Sequence, residues 1–200
     1  MNNGRKISSH IENPIDDLLI GIAEKISPPL VKIGVTPNFI TTLSFIGGLL
    51  SVYFLWKDQY LASGLFFLLG YFFDCMDGHI ARKFNMITKF GDLYDHFTDI
   101  AISILLFIVF LRKKTTVTFK VIVLAMITLF VFLAMVHLGC QEKYYELTNK
   151  HISINGILYR FTSFCKSKEM IHMTKFFGMG TYTIVIMLVI IFTPQLQKFL

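Results

Sequence analysis

Asp74, Asp77, Asp95 and Asp99 stand in one stretch, DCMDGHIARKFNMITKFGDLYDHFTD at positions 74–99, within a chain that is otherwise strongly apolar. An ionisable side chain at the centre of an apolar helix costs roughly 2.5 to 3.5 kcal/mol, so acids kept there point to a shared ligand. On the 3.6-residue period, Asp74, Asp77, Gly78, Ala81 and Arg82 form one stripe, and Gly91, Asp95 and Asp99 form another four apart. Two such helices packed together surround a pocket with carboxylates, space and a cation. Clustered carboxylates in a low dielectric repel one another unless cations offset them. Oxygen-only ligands favour Mg²⁺ or Mn²⁺ over zinc, and Mg²⁺ is usually held by a few carboxylates together with substrate phosphates. The pattern therefore points to a metal-assisted reaction on an anionic phosphate compound. Structural salt bridges or a proton path account for a lone membrane acid, and account poorly for four at helical spacing.

The elements that position these residues belong to a membrane protein. The chain has 200 residues, is 54% hydrophobic with 21 Phe and only 16% charged, and its mean hydropathy is +0.61. That excludes an ordinary soluble globule and a disordered chain. About 20 apolar residues cross a bilayer, and the runs from Phe39 to Trp56 and from Phe119 to Cys140 meet that length. The run from Tyr60 enters Asp74 and Asp77, the run ending at Leu111 emerges from Asp95 and Asp99, and another covers Phe176 to Phe192. With a weaker helix expected in 141–175, the sequence predicts an all-α integral membrane protein of about six transmembrane helices, forming one domain over 1–200. Ahead of them Asn13 and Pro14 read as an N-cap and a first-turn proline. Ile15, Leu18, Leu19, Ile22, Ala23 and Ile26 then recur with helical period, predicting an amphipathic interfacial helix over 13–27.

Cys75, Cys140 and Cys165 are odd in number and lie in or beside predicted spans, so they read as packing residues. The net charge of +6 is scattered among loops, which suits membrane lipid headgroups as partners and excludes nucleic acid. Arg112, Lys113, Lys114 and Lys120 oppose the face carrying Arg5, Lys6, Lys25, Lys32, Arg82, Lys83 and Lys89, and the count leans towards a cytoplasmic active face.

Written as Asp74-x-x-Asp77-Gly78-x-x-Ala81-Arg82, then eight residues, then Gly91-x-x-x-Asp95-x-x-x-Asp99, the stretch resembles the signature of the CDP-alcohol phosphotransferase family at every position and spacing. Pro37, Asn38 and Thr41 likewise resemble the family's Pro-Asn-x-x-Thr start to the first span. The resemblance implies a phospholipid-synthesising transferase that moves a substituted phosphate from a CDP-linked donor to an alcohol hydroxyl and releases CMP. It implies that Asp74, Asp77, Asp95 and Asp99 hold two Mg²⁺ or Mn²⁺ ions, with Asp99 also the general base. Asn38, Thr41, Gly78, Ala81, Arg82 and Gly91 then bind the nucleotide. Only small residues let a nucleotide approach a helix backbone, and an arginine adds charge-assisted hydrogen bonds to phosphate. The Asp95-His96 pair resembles the choline and ethanolamine phosphotransferases and makes His96 a catalytic candidate beside an equal reading as packing. Asp92 lies outside the signature and is expected to be exposed or to start a helix. The resemblance also implies a homodimer, although no Gly-x-x-x-Gly run marks an interface, and Gly47 with Gly48 is only suggestive.

The partners are then a CDP-linked lipid or a CDP-linked amino alcohol, and an alcohol acceptor. Ala81-Arg82-Lys83-Phe84-Asn85 also looks like phosphatidylinositol synthases, so inositol, serine, glycerol phosphate and diacylglycerol all stay open as acceptors. The segment Gln141 to Glu146, read as a loop returning to the active face, is a candidate for acceptor selection beside a plainer reading as a polar helix end. Two other classes are weighed: an aspartate-rich membrane prenyltransferase, which lacks the Gly-x-x-Ala-Arg element and releases no CMP, and a non-enzymatic ion carrier.

Overall fold

The computed structural model describes residues 4, 5, 7–148, 161–165, 167 and 169–199, with the backbone alone at 142 and 144–148. Among the described residues the regular elements are helices: α1 Pro14–Lys32, α2 Pro37–Trp56, α3 Tyr60–Lys83, α4 Lys89–Arg112, α5 Val117–Thr148, the short α6 Met170–Thr174 and α7 Met179–Phe199. Among the described residues five stretches are long and apolar enough to cross a membrane, namely Pro37–Trp56, Tyr60–Lys83, Lys89–Arg112, Val117–Gln141 and Met170–Phe199. The chain is thus an integral, multi-pass, all-α membrane protein. The weaker helix expected in 141–175 falls largely on 149–160, outside the described residues. Residues 141–146 continue α5 instead of forming the expected loop. Gln, Glu, Lys and Leu there are good helix formers, and polar side chains end the apolar span without ending the helix.

Local chemistry sets the helix starts. Thr36 accepts from the Phe39 N–H at 3.3 Å ahead of Pro37, and Thr88 accepts from the Gly91 N–H at 3.0 Å. Asn13 caps α1, accepting from the Ile15 N–H at 3.0 Å. The N-terminal helix was expected to end at 27 but runs on to Lys32 through Pro28 and Pro29. Pro28 has no N–H to give the Glu24 carbonyl, and Lys83 Nζ donates to that carbonyl at 3.5 Å instead. Ser27 Oγ donates to the Ala23 carbonyl at 2.5 Å. Of the apolar stripe on α1, Ala23 is buried while Leu18, Ile22 and Ile26 are exposed on one face, as an amphipathic helix against lipid requires.

The chain divides into two compact units. The first comprises the residues up to Arg5, Leu18–Val123 and the chain from Thr183; the second comprises Lys6–Asp17 and Leu124–Tyr182. In the first, α2 packs on both α3 and α4, and glycines allow the approach. A Cβ on Gly47 would lie 3.0 Å from the Gly70 Cα, and one on Gly48 would lie 2.6 Å from Ile102 Cγ1. Gly47 and Gly48 therefore serve packing inside the chain. Buried Ser63 Oγ donates to the Ser51 carbonyl at 2.9 Å across the same contact. Ala23, Ile40, Met76 and Ile80 form the apolar core between α1, α2 and α3.

In the second unit, Cys140 and Cys165 form a disulfide with Cα atoms 5.3 Å apart. They pack with Ile7, Ile11 and Ile171. This corrects the reading of these two cysteines as simple packing residues: a separation of 25 positions across a helix end carries no local signal of proximity. Gln141 Nε2 donates to Glu12 Oε1 at 3.1 Å and lies 2.9 Å from His137 Nε2, whose Nδ1 is 3.1 Å from Thr174 Oγ1. This chain satisfies buried polar groups that would otherwise cost several kcal/mol in an apolar setting. Gln141, a candidate for acceptor selection, is thereby engaged inside the unit, and Lys143 Nζ donates to the Cys165 carbonyl at 2.6 Å. The side chains of Glu142 and of Tyr144 to Glu146 lie outside the described residues.

The α2–α3 approach gives a direct test. Gly70→Val places carbons against Gly48 N and Ser44 O, each 3.2 Å from the added Cβ, and should destabilise the chain by about 1 to 3 kcal/mol. Gly21→Ala on α1 meets nothing within 4 Å and should leave stability unchanged or slightly raised. Thermal unfolding of both variants in one detergent checks the pair.

Candidate active site

The C-terminal half of α3 and the N-terminal half of α4 bring the acids together within the first unit. Asp74, Asp95 and Asp99 each offer a carboxylate oxygen, and these atoms all lie within 4.8 Å of one another. Asp77, one helical turn from Asp74, is buried to 6% exposure, and its Oδ2 accepts a hydrogen bond from Thr41 Oγ1 on α2 at 2.6 Å. Thr41 Oγ1 also lies 3.2 Å from the Pro37 carbonyl. Its one hydrogen serves the carboxylate better, because a charge-assisted bond is shorter and stronger.

The small residues of the signature lie on both helices, close against neighbouring side chains. A Cβ on Gly78 would lie 3.0 Å from Arg82 Nη1, so the guanidinium folds over the glycine one turn back on α3. Arg82 Nε donates to the Gly4 carbonyl at 2.9 Å, which ties it to the N-terminal segment. Ala81 is half-buried on the same face, and its carbonyl accepts from the Met86 N–H at 2.8 Å as α3 ends. Asn85, with φ +55°, supplies the left-handed residue of that turn. On α4, a Cβ on Gly91 would lie 2.9 Å from Asn38 Oδ1 and 3.0 Å from Thr88 Oγ1. Asn38 at the start of α2 therefore faces the start of α4, and Thr42 of α2 meets Tyr94 of α4, their hydroxyls 3.1 Å apart.

Two residues near the cluster stand outside it. His96 is exposed, and its Nδ1 donates to the Asp92 carbonyl at 2.7 Å along α4. It is not one of the three converging acidic positions, and its ring is turned to its own helix. Asp92 is exposed in the first turn of α4, where the dipole favours an anion.

Sequence reasoning assigned Thr41 and Arg82 to a nucleotide and missed their bonds to Asp77 and Gly4. It also missed Thr42 and Tyr94. The spacing carried no signal for these, because the partners lie on different elements, as far as 78 positions apart for Arg82 and Gly4.

The donor set fits a divalent cation. Asp95 Oδ1 is buried without a hydrogen-bond partner, an expensive state unless a ligand fills it. Three convergent carboxylates supply the hard oxygens that Mg²⁺ or Mn²⁺ prefers.

An apolar helical bundle thus carries an acidic, oxygen-only cluster shared by two of its spans. Residues 34–200 match the CDP-alcohol phosphatidyltransferase family, and the chain belongs to that family. It is 33% identical over 76 residues to an archaetidylinositol phosphate synthase of Pyrococcus horikoshii, covering 38% of this chain and 40% of the relative. It is 38% identical over 81 residues to an uncharacterized protein of Aquifex aeolicus, covering 38% of this chain and 41% of the relative. The matched part thus spans about two fifths of the length of these curated relatives.

Titration of the detergent-purified protein with Mn²⁺, followed by electron paramagnetic resonance, checks the cluster. Asp74→Asn and Asp95→Asn should each weaken binding by roughly tenfold or more, since each removes a charged ligand. Asp92→Asn, outside the cluster, should bind as the wild type does.

Proposed function

We propose that the chain transfers a substituted phosphate from a CDP-linked donor to an alcohol hydroxyl and releases CMP. The observation that carries this reading is the convergence of Asp74, Asp95 and Asp99 from two apolar helices in a member of this family.

In the proposed reaction Asp74, Asp77, Asp95 and Asp99 hold two divalent ions, of which Mg²⁺ and Mn²⁺ suit the ligands best. Bound there, such ions offset charge on the diphosphate oxygens and on the departing CMP, the main requirement in phosphoryl transfer beside alignment. Gly78 and Gly91 let the Arg82 guanidinium and Asn38 Oδ1 come close to the helix backbones, and the nucleotide is proposed to bind beside these groups and Ala81. Arg82, whose Nε donates to the Gly4 carbonyl, is proposed as a cation for the phosphate. Asn38 approaches the same space from α2, and Thr41 holds the Asp77 carboxylate through its hydroxyl. Asp99, exposed on its helix, takes the proton of the acceptor hydroxyl. The acceptor oxygen forms a bond to the phosphorus that carries the alcohol, the bond from that phosphorus to the CMP oxygen breaks, and the electron pair leaves with CMP. No covalent bond to the enzyme is needed. His96, held on Asp92, is given no chemical role in this scheme.

The donor is proposed to be a CDP-linked lipid. The name of the Pyrococcus horikoshii relative favours inositol phosphate or inositol among the acceptors, ahead of serine, glycerol phosphate and the CDP-choline or CDP-ethanolamine route to diacylglycerol. The active face is placed on the cytoplasmic side from the lysine and arginine distribution, and a homodimer is carried over from the family resemblance.

The test is CMP release by the full chain in detergent with Mg²⁺ or Mn²⁺, CDP-diacylglycerol or CDP-choline, and each acceptor in turn. Acceptor-dependent release should fall by roughly a thousandfold in Asp99→Asn, the usual scale for losing a general base that also sits at the metal site. No release with any donor and acceptor, with ion flux in proteoliposomes, would instead favour the carrier reading. Diphosphate release from a prenyl donor would favour the prenyltransferase.

A further inference from the structure

A cavity lies at the other end of the first unit. It measures about 510 Å³ and is lined by the ends of four spans, including Trp56, Tyr60, Arg112, Lys113 and Lys114. Counting from Tyr60 to Asp74 along α3, and from Asp99 to Arg112 along α4, about 1.5 Å per residue puts it roughly 20 Å from the carboxylates. A nucleotide bound at the acids does not reach it.

The cavity is built, not merely charged. Asp58 takes a left-handed conformation, with φ +59°, which aims its carboxylate at Lys113 Nζ and Tyr60 Oη, each donating at 2.7 Å. Lys113 Nζ also donates to the Trp56 carbonyl at 3.0 Å, closing the end of α2. The hydrogen bond from Lys113, with that from Tyr60, holds Asp58 below the usual carboxylate range. The one acid of the wall is thus engaged by Lys113, one of its two lysines. Arg112 and Lys114 flank that lysine and have no ion-pair partner among the described residues. Thr115, in the same wall, has a buried Oγ1 without any hydrogen-bond partner. Arg112, Lys114 and Thr115 thus line one space.

The walls state what kind of anion fits. Trp56 closes α2 and Tyr60 opens α3, the positions where amphipathic rings sit at headgroup depth, and Val109 gives the inner wall an apolar surface. A phosphodiester with acyl chains beneath it meets both requirements, the phosphate on the cations and the glycerol end along Val109 and Trp56. We propose that this cavity binds the phosphate of an anionic phospholipid in the leaflet opposite the one that faces the carboxylate cluster.

Native mass spectrometry of the full chain from micelles containing phosphatidylglycerol and phosphatidylcholine tests the site. The wild type should retain phosphatidylglycerol in preference to phosphatidylcholine. Arg112→Gln with Lys114→Gln should weaken that retention roughly twentyfold, each cation near a lipid surface being worth about a factor of five. Thr115→Ala should weaken it roughly threefold and keeps every charge, so it decides the matter if the double variant does not fold. Lys25→Gln with Lys32→Gln removes equal charge from α1 and should retain the lipid. Unchanged retention in both the double variant and Thr115→Ala would overturn the proposal. So would an equal loss in the α1 control, which would mean general surface attraction, or displacement of the lipid by inorganic phosphate, which would mean a free-anion site.

Discussion

Carboxylate oxygens of Asp74, Asp95 and Asp99 lie within 4.8 Å of one another, although like charges at such range in a weakly polar setting push their helices apart. Helix packing must hold that arrangement and a cation must relieve it. The other features of the first unit follow from this constraint. The acids come as two pairs on two helices, and the helices are braced by a third. Polar partners are supplied where burial leaves them necessary, as Thr41 is for Asp77.

The brace is α2. It lies against both acid-bearing helices, and its Gly47 and Gly48 let backbone meet backbone at Gly70 and let Ile102 of α4 seat closely. In a bilayer, where lipid is as apolar as leucine, close packing of small residues does much of what the hydrophobic effect does in water. The same helix carries Asn38, Thr41 and Thr42 at its start, one face of polar groups directed at α3 and α4. Packing and polar positioning are therefore one act: moving α2 would loosen the carboxylates and withdraw their partners together. At the far end, where α2 and α4 finish, the carbonyls left by the helix ends are met by Lys113 and Lys120, so both ends of the bundle are closed by charge while its middle is closed by shape.

Where the sequence misled, the reason is nearly always distance along the chain. Pro28 and Pro29 argue for a helix end at 27, and by local rules they should make one. The helix persists, and Lys83, far along the sequence, donates to the carbonyl that Pro28 leaves bare. Cys140 and Cys165 looked like isolated packing residues until the fold of the second unit set them side by side. The polar run after Gln141 read as a loop because polarity marks the end of a span, while helix propensity, a separate property, carried α5 onward.

The sequence by itself determined the class of the fold, the main spans, the helix start at Asn13, and the two acidic stripes. These depend on composition, capping chemistry and the 3.6-residue period, all of which act over a few neighbouring residues. The tertiary structure decided which acids converge, that Thr41 serves Asp77, that Arg82 is oriented by Gly4, and that Arg112, Lys114 and Thr115 share a cavity about 20 Å from the acids. Helical periodicity says which residues share a face, but not which face meets which. That is settled by where glycines let backbones approach and by which buried polar groups must find a partner.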